Sequence, residues 1–293
     1  MNEGYFARSF RAIRSTPHWM SKLCLLSLIM LIPIFGPMVV LGYATGWARD
    51  AAWGVEESMP QRIFANEDSH LYSRGFFALV IDIIYSIIPV VLGVAATLLF
   101  AVCAVSPFIV SDMFHAGHFF AFASVTTNVF IQVFVILISF AVTILSMVGV
   151  MRMAIYAKFT AAFNLRQIIV MAQKDARGLL KIFGLFFGGS VALSILTSVV
   201  AGLLFVIGLP VFLGLMYGMM HEGFLFAIAL VTLAILGLFG FFCVMAVTML
   251  GSVFLIMMTY RCMGYWIAQF DVPRWQGPHD ALPFEIEAGH EGR

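Results

Sequence analysis

Apolar residues fill five long stretches: Leu23 to Ala48, about Phe76 to Ala104, about Ala123 to Met151, Ile182 to about Leu209, and about Phe224 to Tyr260. Each exceeds the roughly 20 residues that a helix needs to cross a bilayer. In lipid, only a helix satisfies its own backbone hydrogen bonds within one segment, so each stretch is predicted to be helical. The first is interrupted. Leu31-Ile32-Pro33-Ile34-Phe35-Gly36-Pro37 sets two prolines beside a glycine, and proline removes an amide donor and clashes with the preceding turn. The pattern predicts two half-helices, about Lys22 to Ile32 and Met38 to Trp47, joined by a tight bend.

The polar positions between the stretches fix the direction of threading. Arg8, Arg11, Arg14 and Lys22 precede the first stretch, and Arg49, Arg62 and Arg74 follow it. The central connector carries Arg152, Lys158, Arg166, Lys174, Arg177 and Lys181, and the C-terminal part carries Arg261, Arg274 and Arg293. The connectors Val105 to Phe122 and Pro210 to Gly223 have no Lys or Arg. Basic residues concentrate on the cytoplasmic side. If the broken stretch enters and returns on one side, all sixteen basic residues are inside. The expected fold is therefore an all-α membrane protein: a re-entrant helical hairpin plus four transmembrane helices in two repeated hairpins, with both termini cytoplasmic. The rival, five full spans with the N-terminus outside, strands four of those residues on the wrong side.

The repeat rests on the two outer connectors. Met113-Phe114-His115-Ala116-Gly117-His118-Phe119-Phe120-Ala121-Phe122-Ala123 aligns without a gap on Met219-Met220-His221-Glu222-Gly223-Phe224-Leu225-Phe226-Ala227-Ile228-Ala229. This suggests two parallel hairpins related by an axis along the membrane normal.

The segment Ala161 to Lys181 is amphipathic. Leu165, Ile168, Ile169, Ala172, Ala176, Leu179 and Leu180 keep helical spacing, with Arg166, Lys174, Arg177 and Lys181 near the opposite face. It reads as one helix at the inner surface, with those four residues as headgroup contacts for anionic lipid. The plainer reading, which ranks first, makes them topology determinants with no lipid specificity. The N-terminal segment is a smaller version, with Phe6, Phe10 and Ile13 on one face. Thr16 before Pro17 is the expected cap of the next helix. Trp19, Trp47, Tyr265 and Trp266 suit an interfacial aromatic belt. The expected organisation is a single integral membrane domain over residues 1–270. It comprises the re-entrant hairpin 23–48, a first helical hairpin 76–151, the interfacial helix 161–181 and a second hairpin 182–260. A cytoplasmic tail, 271–293, follows.

Composition agrees with lipid as the solvent: 62% of residues are hydrophobic and 11% charged, against roughly 25% charged in soluble domains. Cys24, Cys103, Cys243 and Cys262 lie in or beside apolar runs, too far apart for a Cys-x-x-Cys site, and read as inert hydrophobes. Walker A, His-Glu-x-x-His and Gly-x-Ser-x-Gly patterns are absent. Asp82 is the one acidic residue set inside a predicted span, and intramembrane carboxylates mark ligand or proton sites by default. A structural role is the first expectation for it, with interfacial water or an arginine such as Arg74 or Arg49 as its partner. His115, His118, His221 and Glu222 are low-ranking metal candidates, since their spacing matches no established site. Gly184 with Gly188, and Gly214 with Gly218, have small-xxx-small spacing, expected to pack within the chain ahead of a dimer face.

Trp19, Lys22, Leu31-Ile32-Pro33-Ile34-Phe35-Gly36, Leu41-Gly42-Tyr43, Met59-Pro60 and Gly75 together resemble a prokaryotic membrane family catalogued as domain of unknown function 4013. That family carries a Leu-Ile-Pro-x-x-Gly turn, a Gly-Tyr pair and a later Leu-Pro in this order; Met59 stands here for the leucine. Ala161-Ala162-Phe163 and Tyr260-Arg261 add to the resemblance, which spans about Trp19 to Gly264. It implies a shared architecture and lends no activity, substrate or catalytic residue.

The function expected from these features is that of a non-enzymatic accessory, scaffold or lipid-interacting protein of the plasma (inner) membrane. No cofactor and no nucleic acid are expected; membrane lipids, a membrane-protein partner or a second copy are the expected partners. The runner-up is a transporter or lipid-handling protein with a pathway near the re-entrant hairpin. A membrane enzyme ranks third and needs the histidines to converge on a metal.

Overall fold

The computed structural model describes residues 4–54, 58–64, 70–114, 117–218 and 223–270. Side chains at 102–125, 128, 207, 210–212, 215–230, 233 and 236 fall outside that description. Among the described residues there are eight α-helices, one 3-10 turn and no strand. The helices are α1 (Tyr5–Arg14), α2 (Trp19–Met30), α3 (Phe35–Ala52), α4 (Leu71–Phe114), α5 (Gly117–Tyr156), α6 (Leu165–Lys174), α7 (Ala176–Gly218) and α8 (Gly223–Ala268). The 3-10 turn, Phe159–Phe163, lies between α5 and α6.

Four of the helices are long and apolar enough to cross a membrane, over Leu71–Ala101, Val129–Tyr156, Ala176–Val206 and Gly237–Ala268. The chain is therefore a multi-pass membrane protein by length and composition. The helices are longer than the apolar stretches that announce them. At 40 to 46 residues each runs for about 60–69 Å, against a hydrocarbon core of roughly 30 Å. Arg74, Arg152 and Arg261, which the charge pattern assigns to connectors, are inside α4, α5 and α8. A charge-free window measures the lipid-facing length.

The first apolar stretch is two helices, as the prolines predict. The bend is a γ-turn: the Phe35 amide donates to the Pro33 carbonyl at 2.7 Å, and Ile34 between them has φ +65° and ψ −55°. This turn is the rarer, strained kind, and a β-branched residue at positive φ is uncommon. Upstream, the expected cap is displaced. α2 begins at Trp19 behind His18, which has φ +57°. Thr16 spends its hydroxyl elsewhere: it donates to the Ala12 carbonyl and accepts from the Met59 amide, each at 3.0 Å.

The single helix expected over Ala161 to Lys181 is three pieces: the 3-10 turn, α6 and the start of α7. Two caps cut it. The Asn164 side chain accepts from the Gln167 amide, and the Asp175 carboxylate accepts from the Gly178 amide at 3.0 Å. Each satisfies an orphan donor of a new first turn.

Contacts gather the chain into two units, Met1–Gly75 with Leu180–Gln269, and Phe76–Leu179 with the residues from Phe270. In the first, α1, α2 and α3 pack on α8. Val39, Val40, Tyr43, Ala44, Trp47, Ala48 and Ala51 of α3 are buried, as are Val253, Met257, Met258, Met263 and Trp266 of α8. In the second unit the 3-10 turn and α6 pack on α5. There Tyr85 donates to the Ala162 carbonyl at 2.9 Å and stacks on Phe163 at 5.9 Å.

Acyl chains are as apolar as leucine, so helices in lipid are held by close packing more than by the hydrophobic effect. Gly42 faces the Leu71 carbonyl and the Gly75 amide, with no room for a Cβ, and Gly75 faces the Met38 carbonyl in the same way. Gly264 lies against the Ala48 carbonyl and Ala51. Among the described residues Gly184 and Gly188 are not used in this manner, since a Cβ on either meets none of them within 4 Å, and the same holds for Gly214. The α7–α8 contact uses Gly189 beneath Leu255 and Gly251 beneath Leu193 instead.

Candidate functional site

Of the residues that carry the family resemblance, Lys22, Tyr43, Met59 and Pro60 converge on the base of the α2–α3 hairpin. The segment Ser58 to Phe64 passes this base and is held from three elements. Thr16, between α1 and α2, accepts the Met59 amide. Lys22 of α2 donates to the Met59 carbonyl at 3.3 Å and to the Pro60 carbonyl at 3.1 Å. Tyr43 of α3 donates to the same Pro60 carbonyl at 2.8 Å. A proline has no amide to offer, so its carbonyl, with two lone pairs, is the natural anchor, and both lone pairs are taken. Met59 is buried beneath this clamp. On α3, Gly42 and Gly46 leave room for α4: the Arg74 guanidinium fills the space beside Gly46 and its Nε donates to the Gly42 carbonyl at 3.3 Å.

The far end of the hairpin is the opposite in chemistry. Leu31, Ile32, Ile34 and Phe35 are all exposed, Ile34 at 73%. An apolar, strained, uncovered tip thus stands on a polar, tightly bonded base.

Each unit also holds one arginine that is almost wholly buried. Arg261 of α8 donates from Nη1 to the Trp47 carbonyl at 2.5 Å. Its guanidinium lies over the Trp47 ring at 4.5 Å and the Tyr265 ring at 4.9 Å. Arg8 of α1 covers the same Tyr265 ring at 4.4 Å. In the other unit, Arg152 of α5 donates from Nε to the Ala161 carbonyl at 3.3 Å and from Nη2 to Gln167 Oε1 at 2.6 Å. It lies over the Tyr156 ring at 5.0 Å. Each arginine stands four residues before its tyrosine near the end of a long helix, and each is almost wholly buried. Delocalised guanidinium charge suits such stacked, partly desolvated sites better than an ammonium.

Asp82 lies on α4 and accepts the Ser146 hydroxyl of α5 at 2.5 Å. Arg166 and Lys174 are exposed on α6, and Arg177 and Lys181 are exposed on the first turns of α7, not on one common helix. Lys174 lies over the Phe270 ring at 5.9 Å. His115, His221 and Glu222 lie outside the described residues, and His118 is described in its backbone only, at the start of α5. Among the described residues no three His, Cys, Asp or Glu side chains gather to hold a metal ion. Trp47, Tyr265 and Trp266, expected in an aromatic belt, are buried in the α3–α8 packing instead.

Sequence reasoning missed Arg74, Arg152 and Arg261 as interior residues: it used all three as topological charges, Arg74 also as a partner for Asp82, whose carboxylate accepts from Ser146, and Arg261 also as part of the family resemblance. The signal was present: Arg152 with Tyr156 and Arg261 with Tyr265 repeat the same spacing at equivalent helix ends.

Among the curated proteins and the solved structures, none matches the chain. A family model does match, over residues 25–206, which is more than half of the 293 residues and includes the bend, the Gly42-Tyr43 pair, Met59-Pro60 and Gly75. The chain belongs to the family described as Protein of unknown function (DUF4013).

Proposed function

We propose that the protein is a non-enzymatic accessory component of the inner membrane, whose α2–α3 hairpin enters the bilayer and returns on the cytoplasmic side. The observation that carries this reading is the contrast within the hairpin: an exposed apolar tip at Leu31 to Phe35 and a base bonded to Met59 and Pro60 by Lys22 and Tyr43. α2 has 12 residues, about 18 Å, which is too short for a hydrocarbon core of roughly 30 Å but long enough to reach its middle. Non-helical backbone at that depth must be shielded. The γ-turn supplies one internal bond, and α8 covers the α3 side of the hairpin. With this hairpin, both termini and all basic residues fall inside, in keeping with the charge rule. Arg166, Lys174, Arg177 and Lys181 then face anionic headgroups.

A second reading, a transporter or lipid-handling protein, is favoured by one observation, the Asp82–Ser146 hydrogen bond inside two spans. A lone carboxylate bonded to a hydroxyl serves helix pairing as well as transport, so it ranks below the first.

The test is the depth of the tip. A cysteine-free variant carrying Ile34→Cys is spin-labelled and reconstituted. Protection from a water-soluble relaxant, with access to oxygen, is expected near the bilayer centre. Single cysteines at Ser15, Ser69 and Gly117, labelled in intact cells with an impermeant reagent, report topology. Reaction at Gly117→Cys alone is expected; reaction at Ser15→Cys as well rejects the re-entrant hairpin.

A further inference from the structure

α1 and α6 are built to one plan, although no sequence identity between them announces it. Each docks on a long helix near its Arg-x-x-x-Tyr end. α1 buries Ser9 and Ile13 and reaches Tyr265 through Arg8. α6 buries Ile168 and Met171 and reaches Arg152 through Gln167. On the side that remains open, each presents an apolar pair four residues apart, Phe6 with Phe10 and Leu165 with Ile169, all exposed. Residues four apart share a helix face. Exposed basic residues accompany each pair: Arg11 and Arg14 beside the phenylalanines of α1, and on α6 Arg166 beside Leu165 and Ile169, with Lys174 on the opposite flank of the helix.

The α1 pair is fixed in place relative to the span. Phe6 stacks on Phe10 at 6.2 Å, and Phe10 meets Phe254 edge-on at 6.5 Å. Phe254 belongs to the apolar span Gly237–Ala268. At the other end of α1, Tyr5 donates to Gln269 beyond the end of α8 at 2.9 Å. The helix therefore descends along α8 with its phenylalanine row against the lipid-facing length and its arginine row beside it.

We infer that α1 is a headgroup site for anionic phospholipid, equivalent to the one on α6, so that each unit carries one. The occupant follows from the chemistry of the open face. The phenylalanine row adjoins a span and so meets acyl chains, while a guanidinium row alongside meets phosphate at the depth where headgroups begin. Exposed Lys and Arg at such a surface attract anionic lipid additively, and salt screens the attraction. The inference rests on the membrane reading above.

The experiment uses the full-length protein reconstituted in phosphatidylcholine vesicles with spin-labelled phosphatidylglycerol or spin-labelled phosphatidylcholine. The readout is the motionally restricted fraction of each lipid and its dependence on salt. The wild type is expected to prefer phosphatidylglycerol. Arg11→Gln with Arg14→Gln is expected to remove on the order of a third of that preference, Arg166→Gln with Lys174→Gln a similar share, and the four together more than half of it, with Arg177 and Lys181 keeping the rest. All four positions are exposed, and unchanged helical circular dichroism on heating checks that the variants fold. If the α1 variant keeps the full preference while the α6 variant loses its share, the α1 face has a protein occupant and the inference falls. If neither variant changes the preference, the inference falls for both helices. The depth of Ile34→Cys, read separately, then says whether the re-entrant hairpin falls with it.

Discussion

Arg261 grips Trp47 twice, by a hydrogen bond from Nη1 to its carbonyl at 2.5 Å and by stacking over its ring at 4.5 Å. The two residues come from helices 214 positions apart, so this grip joins the two ends of the chain within one unit. Arg261→Ala is expected to lower stability by about 3 kcal/mol or more, since it removes a buried charged donor and its stacking. Arg261→Lys recovers only part, because an ammonium has no planar face to lay on the indole. Thermal unfolding in detergent measures both; equal stability of Arg261→Lys and the wild type refutes the stacking account.

The crossing of α3 over the start of α4 depends on Gly42 and Gly75, where a Cβ on either would run into backbone carbonyls. Backbone cannot move aside as a flexible side-chain tip can. Gly42→Ala and Gly75→Ala are each expected to cost about 1–3 kcal/mol of stability, the usual range for overpacking. Gly184→Ala, on an open surface, is expected to leave the melting temperature unchanged or slightly raised. A large loss at Gly184 would place an unseen neighbour there.

Lys22 and Tyr43 share the Pro60 carbonyl. Lys22→Met and Tyr43→Phe are each expected to cost roughly 1 kcal/mol. Their effects should not add, because residues in one hydrogen-bond network couple. A double-mutant cycle by chemical denaturation reads the coupling; strict additivity would mean that the two bonds act independently and form no shared network.

Ile34 stores strain at φ +65°. Ile34→Gly is expected to raise the melting temperature, relieving roughly 1–2 kcal/mol. Ile34→Asp keeps the turn but sets a charge where lipid is expected, at a cost of about 2.5–3.5 kcal/mol if the tip lies at the bilayer centre. Membrane-integrated yield of the two variants should move in opposite directions. Parallel effects would put the tip in water.

What the residues say on their own is most reliable where one physical rule acts alone. Apolar length and the absence of charge located four spans, because lipid leaves helix as the only way to bond a single segment. Pro33, Gly36 and Pro37 located the helix break to within a few residues, because proline acts on its own turn. The family motif was legible too, yet its reason was not. Lys22, Tyr43 and Pro60 are spaced irregularly along the chain and become a clamp only once α2, α3 and the segment between α3 and α4 are folded together.

Other features had to wait for the tertiary structure because two rules competed. Trp47, Tyr265 and Trp266 have the composition of an interfacial belt, but packing between α3 and α8 buries them. Arg152 and Arg261 are counted as basic charges by the positive-inside rule and are also interior struts, and charge counting cannot tell these uses apart. Asp175 looks like any polar residue in an amphipathic run until its carboxylate caps Gly178 and starts a new helix. Composition and periodicity thus determined that this chain lives in a membrane and where it crosses. Which polar groups meet, and so what holds the α2–α3 hairpin, α1 and α6, was decided by contacts between distant segments, because a hydrogen bond depends on position in space and not on spacing along the chain.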